Sequence, residues 1–106
     1  MTYKVVYAPD VIAAIEAQVG YLESESVSTE HIHAWLKRLF EFTEGLYTMP
    51  KRHPVAVPES AEMKREIRRI VFGNYLLFYH VDGDHGRVNV LRFRHAARIR
   101  PPGEPG

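Results

Sequence analysis

Cysteine is absent from this sequence of 106 residues. Its absence excludes a disulfide framework, a thiol nucleophile and a zinc–thiolate site. Long apolar runs are also missing, because the N-terminus carries only a five-residue apolar stretch after Lys4. Such a stretch is too short for a signal-peptide core, and no run approaches the length that spans a membrane. We therefore expect a cytoplasmic protein that does not contact membranes.

Several chemical motifs are missing too. The sequence contains no phosphate-binding glycine loop and no Gly-x-Ser-x-Gly elbow. His31 and His33 stand two apart on a predicted helix, where they cannot face one metal ion. Asp82, Asp84 and His85 supply too few oxygen ligands for a calcium loop. We expect neither a metal ion nor a cofactor.

Charge is distributed unevenly along the chain. Residues 1–50 carry three basic and seven acidic side chains, whereas residues 51–106 carry eleven basic and six acidic ones. An anionic partner, either nucleic acid or an acidic protein segment, would therefore bind the C-terminal half. The structural alternative is a solvated basic sheet face that binds nothing.

The first half predicts a strand followed by two helices. Residues 3–8 are β-branched and aromatic, and Pro9 then favours a helix start. Ser28 or Thr29 is a plausible N-cap for a second helix, which should end before Met49. Two consecutive amphipathic helices predict an antiparallel hairpin that needs a sheet to pack on. The apolar stripe of the first helix is predicted to be Ile12, Ile15, Val19 and Leu22.

The second half predicts three strands. Residues 50–60 contain three prolines and suggest an extended loop, followed by a strand over about 64–72. Gly73-Asn74 then signals a tight hairpin into a strand over 75–81. Both faces of that strand are apolar, so it should be central and covered twice. The helical hairpin can cover one face, which makes a partner a natural candidate for the other.

A fourth strand is expected over residues 87–95, with Arg92 and Arg94 on the same face as Val88 and Val90. The predicted fold is α+β in the order β-α-α-β-β-β, with the helical hairpin on one face of a small, mainly antiparallel sheet. We expect one domain over residues 1–98 and a disordered, Pro/Gly-rich tail over 99–106.

Two clusters of basic residues are candidate sites. His95 could act as a general base and Arg98 could stabilise a phosphorane in a metal-free ribonuclease. A structural histidine and an ion-paired arginine are the alternative. Charges that alternate along the predicted second strand could form one rim of a basic groove, or simply cross-strand ion pairs. These charged residues are Glu62, Lys64, Arg65, Glu66, Arg68 and Arg69.

The ordered segments resemble the ParE/RelE superfamily of toxin–antitoxin toxins, and its ParE branch most. The resemblance extends over about residues 3–98 and includes YKVVYAPDVIAAIEAQVGYL, GLYTMP, FGNYLLFYHV and VNVLRFRHAAR. The family pattern G-x-Y-x-x-x-Y followed by H-x-x-R is matched by Gly73, Tyr75, Tyr79, His95 and Arg98.

The RelE branch implies an mRNA endoribonuclease with a basic and aromatic residue set. Here Leu76 stands where that set has an arginine after the hairpin, and no final helix with its tyrosine follows Arg98. Arg69 could replace one lysine of the second strand. If the chain were RelE-like, its catalytic residues would be Arg69, His95 and Arg98, perhaps with Tyr79. Losing several members of such a set should abolish the chemistry.

The ParE branch implies a non-enzymatic inhibitor of DNA gyrase. Its partner would be a ParD-like antitoxin, a ribbon-helix-helix dimer whose C-terminal segment wraps the toxin in a hetero-oligomer. We take this as the expected function, in a plasmid-stabilisation system. The alternatives are a RelE-like ribosome-dependent mRNA endoribonuclease and a non-toxic binding module with a basic sheet face. The expected antitoxin contacts are Leu76, Phe78, His80, Arg92, Arg94 and Arg98.

Overall fold

The computed structural model describes residues 2–96, so Arg98 and the predicted tail lie outside the described part of the chain. Four strands form one sheet in the order β1-β4-β3-β2. They are β1 (Lys4–Tyr7), β2 (Arg68–Phe72), β3 (Tyr75–Asp82) and β4 (Arg87–His95). The helices are α1 (Pro9–Ser24), α2 (Thr29–Glu44) and α3 (Val57–Met63), with short 3-10 turns at Gly45–Tyr47 and Pro50–Arg52.

The predicted α+β class is confirmed. β1 runs parallel to β4, while the β2–β3 and β3–β4 pairs are antiparallel. α1 and α2 lie between β1 and β2 in sequence and pack on one face of the sheet. No helix within residues 2–96 is long and apolar enough to cross a membrane.

The two long helices begin as their sequences require. Pro9 occupies the first turn of α1, where its missing N–H costs nothing. Ser28 caps α2 by accepting a hydrogen bond from the backbone N–H of His31 at 3.2 Å. Thr43 near the end of α2 is buried, and its hydroxyl lies 2.6 Å from that of Tyr7 on β1. This contact joins the helical hairpin to the edge of the sheet.

The predicted stripe of α1 is shifted by one residue. Val11, Ile15 and Gln18 are buried, whereas Ile12 is 37% exposed. Val11 and Ile12 are both apolar, so the buried face of the helix could include either residue, and the sequence alone does not show which one. A buried glutamine also runs against apolar patterning, but the Gln18 amide donates to the Tyr75 hydroxyl at 2.9 Å.

The segment before β2 differs from the prediction. Residues 57–63 form α3 rather than an extended loop, and β2 begins at Arg68 rather than near residue 64. Pro58 is tolerated because it lies in the first turn of the helix. Lys64 ends α3 in the left-handed conformation at φ 56°. Glu62 and Lys64 therefore do not lie on the second strand, and the alternating charges do not line one strand.

A β-bulge in β4 reverses the predicted orientation of its C-terminal half. Phe78 pairs with Arg92 and Tyr79 with Val90, so Leu91 is an extra residue without a direct partner. One extra residue moves every following side chain to the opposite face. Arg92 and Arg94 therefore do not share a face with Val88 and Val90, as the alternation had suggested. Val90 packs on the helix side, whereas Leu91 packs on the other side.

Candidate functional site

The sheet face turned away from the α1–α2 hairpin carries most of the predicted site residues, and we call it the outer face. Residues directly opposite each other on paired strands point to the same side of a sheet. Two rows of such residues cross β2, β3 and β4 in that order. The first row is Arg69, Phe78 and Arg92, and the second row is Val71, Leu76 and Arg94.

Phe78, at the centre of the first row, is covered by the chain itself. Phe78 is only 2% exposed and packs with Ala56 and Ile67, against partly buried Met63 and Leu76. These contacts come from α3 and its two flanking segments. The cover expected for the second face of this strand thus comes, at Phe78, from the chain itself, although a partner had been the natural candidate. Phe78 is a residue of a second, small core, and it is not accessible to an antitoxin while α3 is in place.

An ion pair fastens α3 to the first row. The Arg92 guanidinium donates two hydrogen bonds to the Glu62 carboxylate, at 3.1 and 2.6 Å. These hydrogen bonds and the charge of Arg92 lower the pKa of Glu62, and the charge of Arg94 lowers it further. This bidentate geometry is typical of arginine–carboxylate pairs, and it fixes the orientation of the two side chains as well as their distance. Arg92 is therefore already paired within the chain itself.

The second row is open. Val71 is 57% exposed on the edge strand β2, and Leu76 beside it is half-buried. Arg94 is exposed at the other end of the row, and Arg69 is exposed one row away. Within residues 2–96 the side chains of Arg69 and Arg94 form neither a hydrogen bond nor a salt bridge. An apolar strip thus lies between two unpaired cationic groups.

His80, also a predicted contact, lies on the outer face beyond the first row. It is half-buried, pairs with Asn89 across the strands, and its Nδ1 lies 3.0 Å from the backbone carbonyl of Glu66. At this end of the sheet Asp82 contacts His85, with the carboxylate 2.8 Å from the ring Nδ1. At this end of the face an acid and a base, Asp82 and Arg87, lie opposite each other, whereas the opposite end carries Arg92 and Arg94.

The structure does not bring the candidate ribonuclease residues together. His95 pairs with Tyr75, and their rings lie 5.1 Å apart on the helix side of the sheet. Arg69 pairs with Phe78 on the outer face. The sheet itself therefore separates His95 from Arg69, and Arg98 lies outside the described residues. A general base and an electrostatic stabiliser must reach the same reacting group, which these two side chains do not do.

Tyr79 is committed to the core. It is completely buried, and its hydroxyl donates a hydrogen bond to the backbone carbonyl of Pro50. Burial raises the pKa of Tyr79 to about 12. A neutral, enclosed phenol cannot stack on a nucleobase or exchange protons with one at neutral pH. Among the residues described, no group of three or more His, Asp or Glu side chains could hold a metal ion.

Two residues of this face were not found from the sequence. Glu62 was assigned to a strand, and its role as the partner of Arg92 depends on the existence of α3. Val71 was not singled out because an isolated valine in a strand pattern gives no sign that it will lie on an exposed edge. The one sequence feature compatible with α3 was Pro58, because proline is favoured in the first turn of a helix.

Comparisons with known proteins place the chain among toxins. Residues 5–100 match the family described as ParE toxin of type II toxin–antitoxin system, parDE. No curated protein matches the chain. A solved structure of similar fold is the archaeal RelE–RelB complex from Pyrococcus horikoshii OT3, with 19% identity and a TM-score of 0.54. The alignment covers 93% of this chain and 100% of that chain, and it shows a shared fold.

Proposed function

This chain belongs to the ParE toxin family of type II toxin–antitoxin systems, and on that premise we propose that it inhibits DNA gyrase without catalysing a reaction. We further propose that a ParD-like antitoxin neutralises it in a cytoplasmic hetero-oligomer. The family supports a toxin with an antitoxin partner. The choice of gyrase over mRNA as the target rests on the residues of this chain.

The observation that carries the proposal is the separation of Arg69 from His95 by the sheet. A RelE-type reaction needs several groups around one scissile phosphate. Here His95 packs on the helix side against Tyr75, Tyr79 is enclosed, and Leu76 stands where an arginine would bind phosphate. Leucine has no donor for a phosphate oxygen. These features favour an inhibitor that acts by binding.

The antitoxin part of the proposal draws on the outer face. Arginine side chains near exposed apolar groups suit a partner segment that is both acidic and apolar. Of the predicted contacts, Leu76, His80 and Arg94 remain accessible or partly accessible, while Phe78 is buried. Burial of the apolar groups would make the complex less sensitive to salt than a purely electrostatic one.

Induced expression in bacteria tests the target. We expect filamentous cells, induction of the DNA-damage response and chromosomal breaks, while bulk mRNA stays intact. The double variant Arg69→Ala/His95→Ala serves as a matched control, because a gyrase inhibitor should need neither side chain for catalysis. A soluble, folded double variant that remains toxic would support the proposal.

Rapid cleavage of translated mRNA, lost in the double variant, would overturn it in favour of a RelE-like endoribonuclease. Healthy cells with well-folded protein would instead point to a binding module. If the basic face binds nucleic acid, the affinity for nucleic acid should fall by orders of magnitude as the salt concentration rises from about 50 to 200 mM.

A further inference from the structure

We propose that the antitoxin docks on the second row of the outer face, on Val71, Leu76 and Arg94 with Arg69 beside them, while α3 stays in place over the first row. This inference rests on the proposed antitoxin partner and gives it a site on this chain. It also divides the predicted contact residues into two classes. Phe78 and Arg92 contact other parts of the toxin itself, whereas the residues of the second row contact the antitoxin.

The contacts of α3 explain why it should stay. Beyond the Glu62–Arg92 pair, the Ser60 hydroxyl accepts from the Ile67 N–H at 2.8 Å and lies 3.2 Å from the Ile67 carbonyl. The Ala56 N–H donates to the same carbonyl at 2.7 Å. These bonds close the segment around α3 into a loop over buried Phe78. A partner that displaced α3 would have to replace all of these contacts.

The second row has the properties that the first row would have without α3. Each row consists of a central apolar residue on β3 with an arginine opposite it on β4: Phe78 with Arg92, and Leu76 with Arg94. In the first row, α3 supplies apolar cover for Phe78 and a carboxylate for Arg92. In the second row, Leu76 touches the edge of the cluster around Phe78 and stays only half-buried, and Arg94 feels the charge of Glu62 but forms no salt bridge with it.

The chemistry of the occupant follows from this comparison. α3 shows which groups suit such a row: apolar contacts above the central residue and an acid that reaches the arginine. The partner should therefore present an apolar side chain to Val71 and Leu76 and a carboxylate to Arg94, with Arg69 available to a second acid. At the far end of the outer face Arg87 lies directly opposite Asp82, so an acidic segment would meet a carboxylate beside the only cation of that pair. The row at the β2–β3 hairpin is the end that fits.

Charge removal at three positions of β4 tests the site. Arg94→Gln, Arg92→Gln and Arg87→Gln are matched variants on one face of one strand, and their affinity for the purified cognate ParD-like antitoxin can be measured by calorimetric titration. We expect Arg94→Gln to weaken binding about tenfold, as the loss of a charged hydrogen-bonded pair does. Arg92→Gln and Arg87→Gln should stay within about threefold of the wild type, below the effect of a contact residue.

Apolar contacts are tested by a second matched pair. Val71→Asp should weaken binding about tenfold or more, because it places an unpaired charge where the partner's apolar side chain packs. Val57→Asp, at a valine on α3 that is even more exposed than Val71, should have little effect. Circular dichroism confirms that each variant is folded. Hydrogen exchange of residues 57–63 should be unchanged or slower in the complex, since α3 stays in place.

Other results would overturn the inference. Faster exchange in α3 on binding, or an Arg92→Gln loss as large as that of Arg94→Gln, would mean that the antitoxin displaces α3. A change of oligomeric state in Val71→Asp without a change of antitoxin affinity would mean that a second toxin copy occupies the row. An antitoxin affinity that is unchanged in all of these variants would refute this docking site but not the proposed function. A complete lack of antitoxin binding by the wild type would refute the proposed function.

Discussion

Replacing Phe78 with alanine tests whether the toxin's own chain covers the outer face. Phe78 is 2% exposed and packs between Ala56, Ile67 and the partly buried Met63, Leu76 and Leu91. A buried Phe→Ala change lowers the free energy of unfolding by about 3–5 kcal/mol, through lost apolar transfer and the cavity that remains. If only an antitoxin covered Phe78, the isolated toxin would lose little stability.

The expected loss is a large share of the total for a chain of this size, whose stability should be on the order of 5–15 kcal/mol. The midpoint of thermal unfolding should fall by about 12 °C or more. Phe78→Leu keeps most of the apolar volume and should cost less than about 1.5 kcal/mol. Val71→Ala, at an exposed position of the same sheet face, should change stability by at most about 0.5 kcal/mol.

Urea unfolding of the isolated proteins, followed by circular dichroism, gives the comparison. Phe78→Leu keeps the test informative if Phe78→Ala does not fold. A Phe78→Ala variant that is as stable as Val71→Ala would refute the reasoning, because Phe78 would then be exposed in the free toxin. Equal slopes against urea concentration would show that the variants lose stability without changing the unfolded state.

Three further perturbations have defined outcomes. Because Arg92 lowers the pKa of Glu62, their pair should stabilise the fold fully above pH 4.5, the ordinary value, and less as pH falls through the lowered pKa. Urea unfolding at several pH values, compared with Glu62→Gln, measures this difference, and parallel pH curves would contradict it. Thr43→Val should lower the free energy of unfolding by about 1–3 kcal/mol, because the Tyr7 hydroxyl loses its buried partner. Adding Tyr7→Phe to Thr43→Val should lower it little further, which a double-mutant cycle measures. Gly73→Ala should lower the free energy of unfolding by about 1–2 kcal/mol, because Gly73 has a φ of +56°. Gly73→Asn should lower it less, and thermal unfolding of both variants measures the difference.

The sequence was most informative where local patterns act alone. β4 begins at Arg87 and ends at His95 as expected, because polar turn residues precede a run in which valine, leucine and phenylalanine are interspersed with polar residues. The Gly73-Asn74 hairpin also forms as expected, with Phe72 paired to Tyr75 across the turn. Both signals lie within a few residues of the structure they specify, so no tertiary information was needed.

Face assignment failed where a single residue shifts the alternation. The bulge at Leu91 turns Arg92 and Arg94 to the outer face. No residue type marks this bulge in the sequence, since leucine suits a regular strand equally well. The choice depends on packing, because Phe93 reaches the helix-side core only if the extra residue is present.

The candidate site depended on a helix that the local sequence did not suggest. Three prolines between residues 50 and 60 favoured an extended loop. α3 is a short helix that by itself would be marginal, and it is held by tertiary contacts from Ser60 and Glu62. The sequence indicated that a second apolar face needs cover, but because α3 was not predicted, a partner was the natural candidate to provide it.

We propose that this toxin acts on gyrase by binding and not on mRNA by catalysis. The most direct measurement adds the purified protein to DNA gyrase and relaxed plasmid, and follows supercoiling and gyrase-dependent DNA cleavage on gels. We expect that supercoiling stops or cleaved DNA accumulates, that Arg69→Ala/His95→Ala acts like the wild type, and that the antitoxin reverses the effect of the wild-type toxin. Unaffected gyrase at a molar excess of folded toxin, together with cleavage of mRNA in a translating extract, would contradict it.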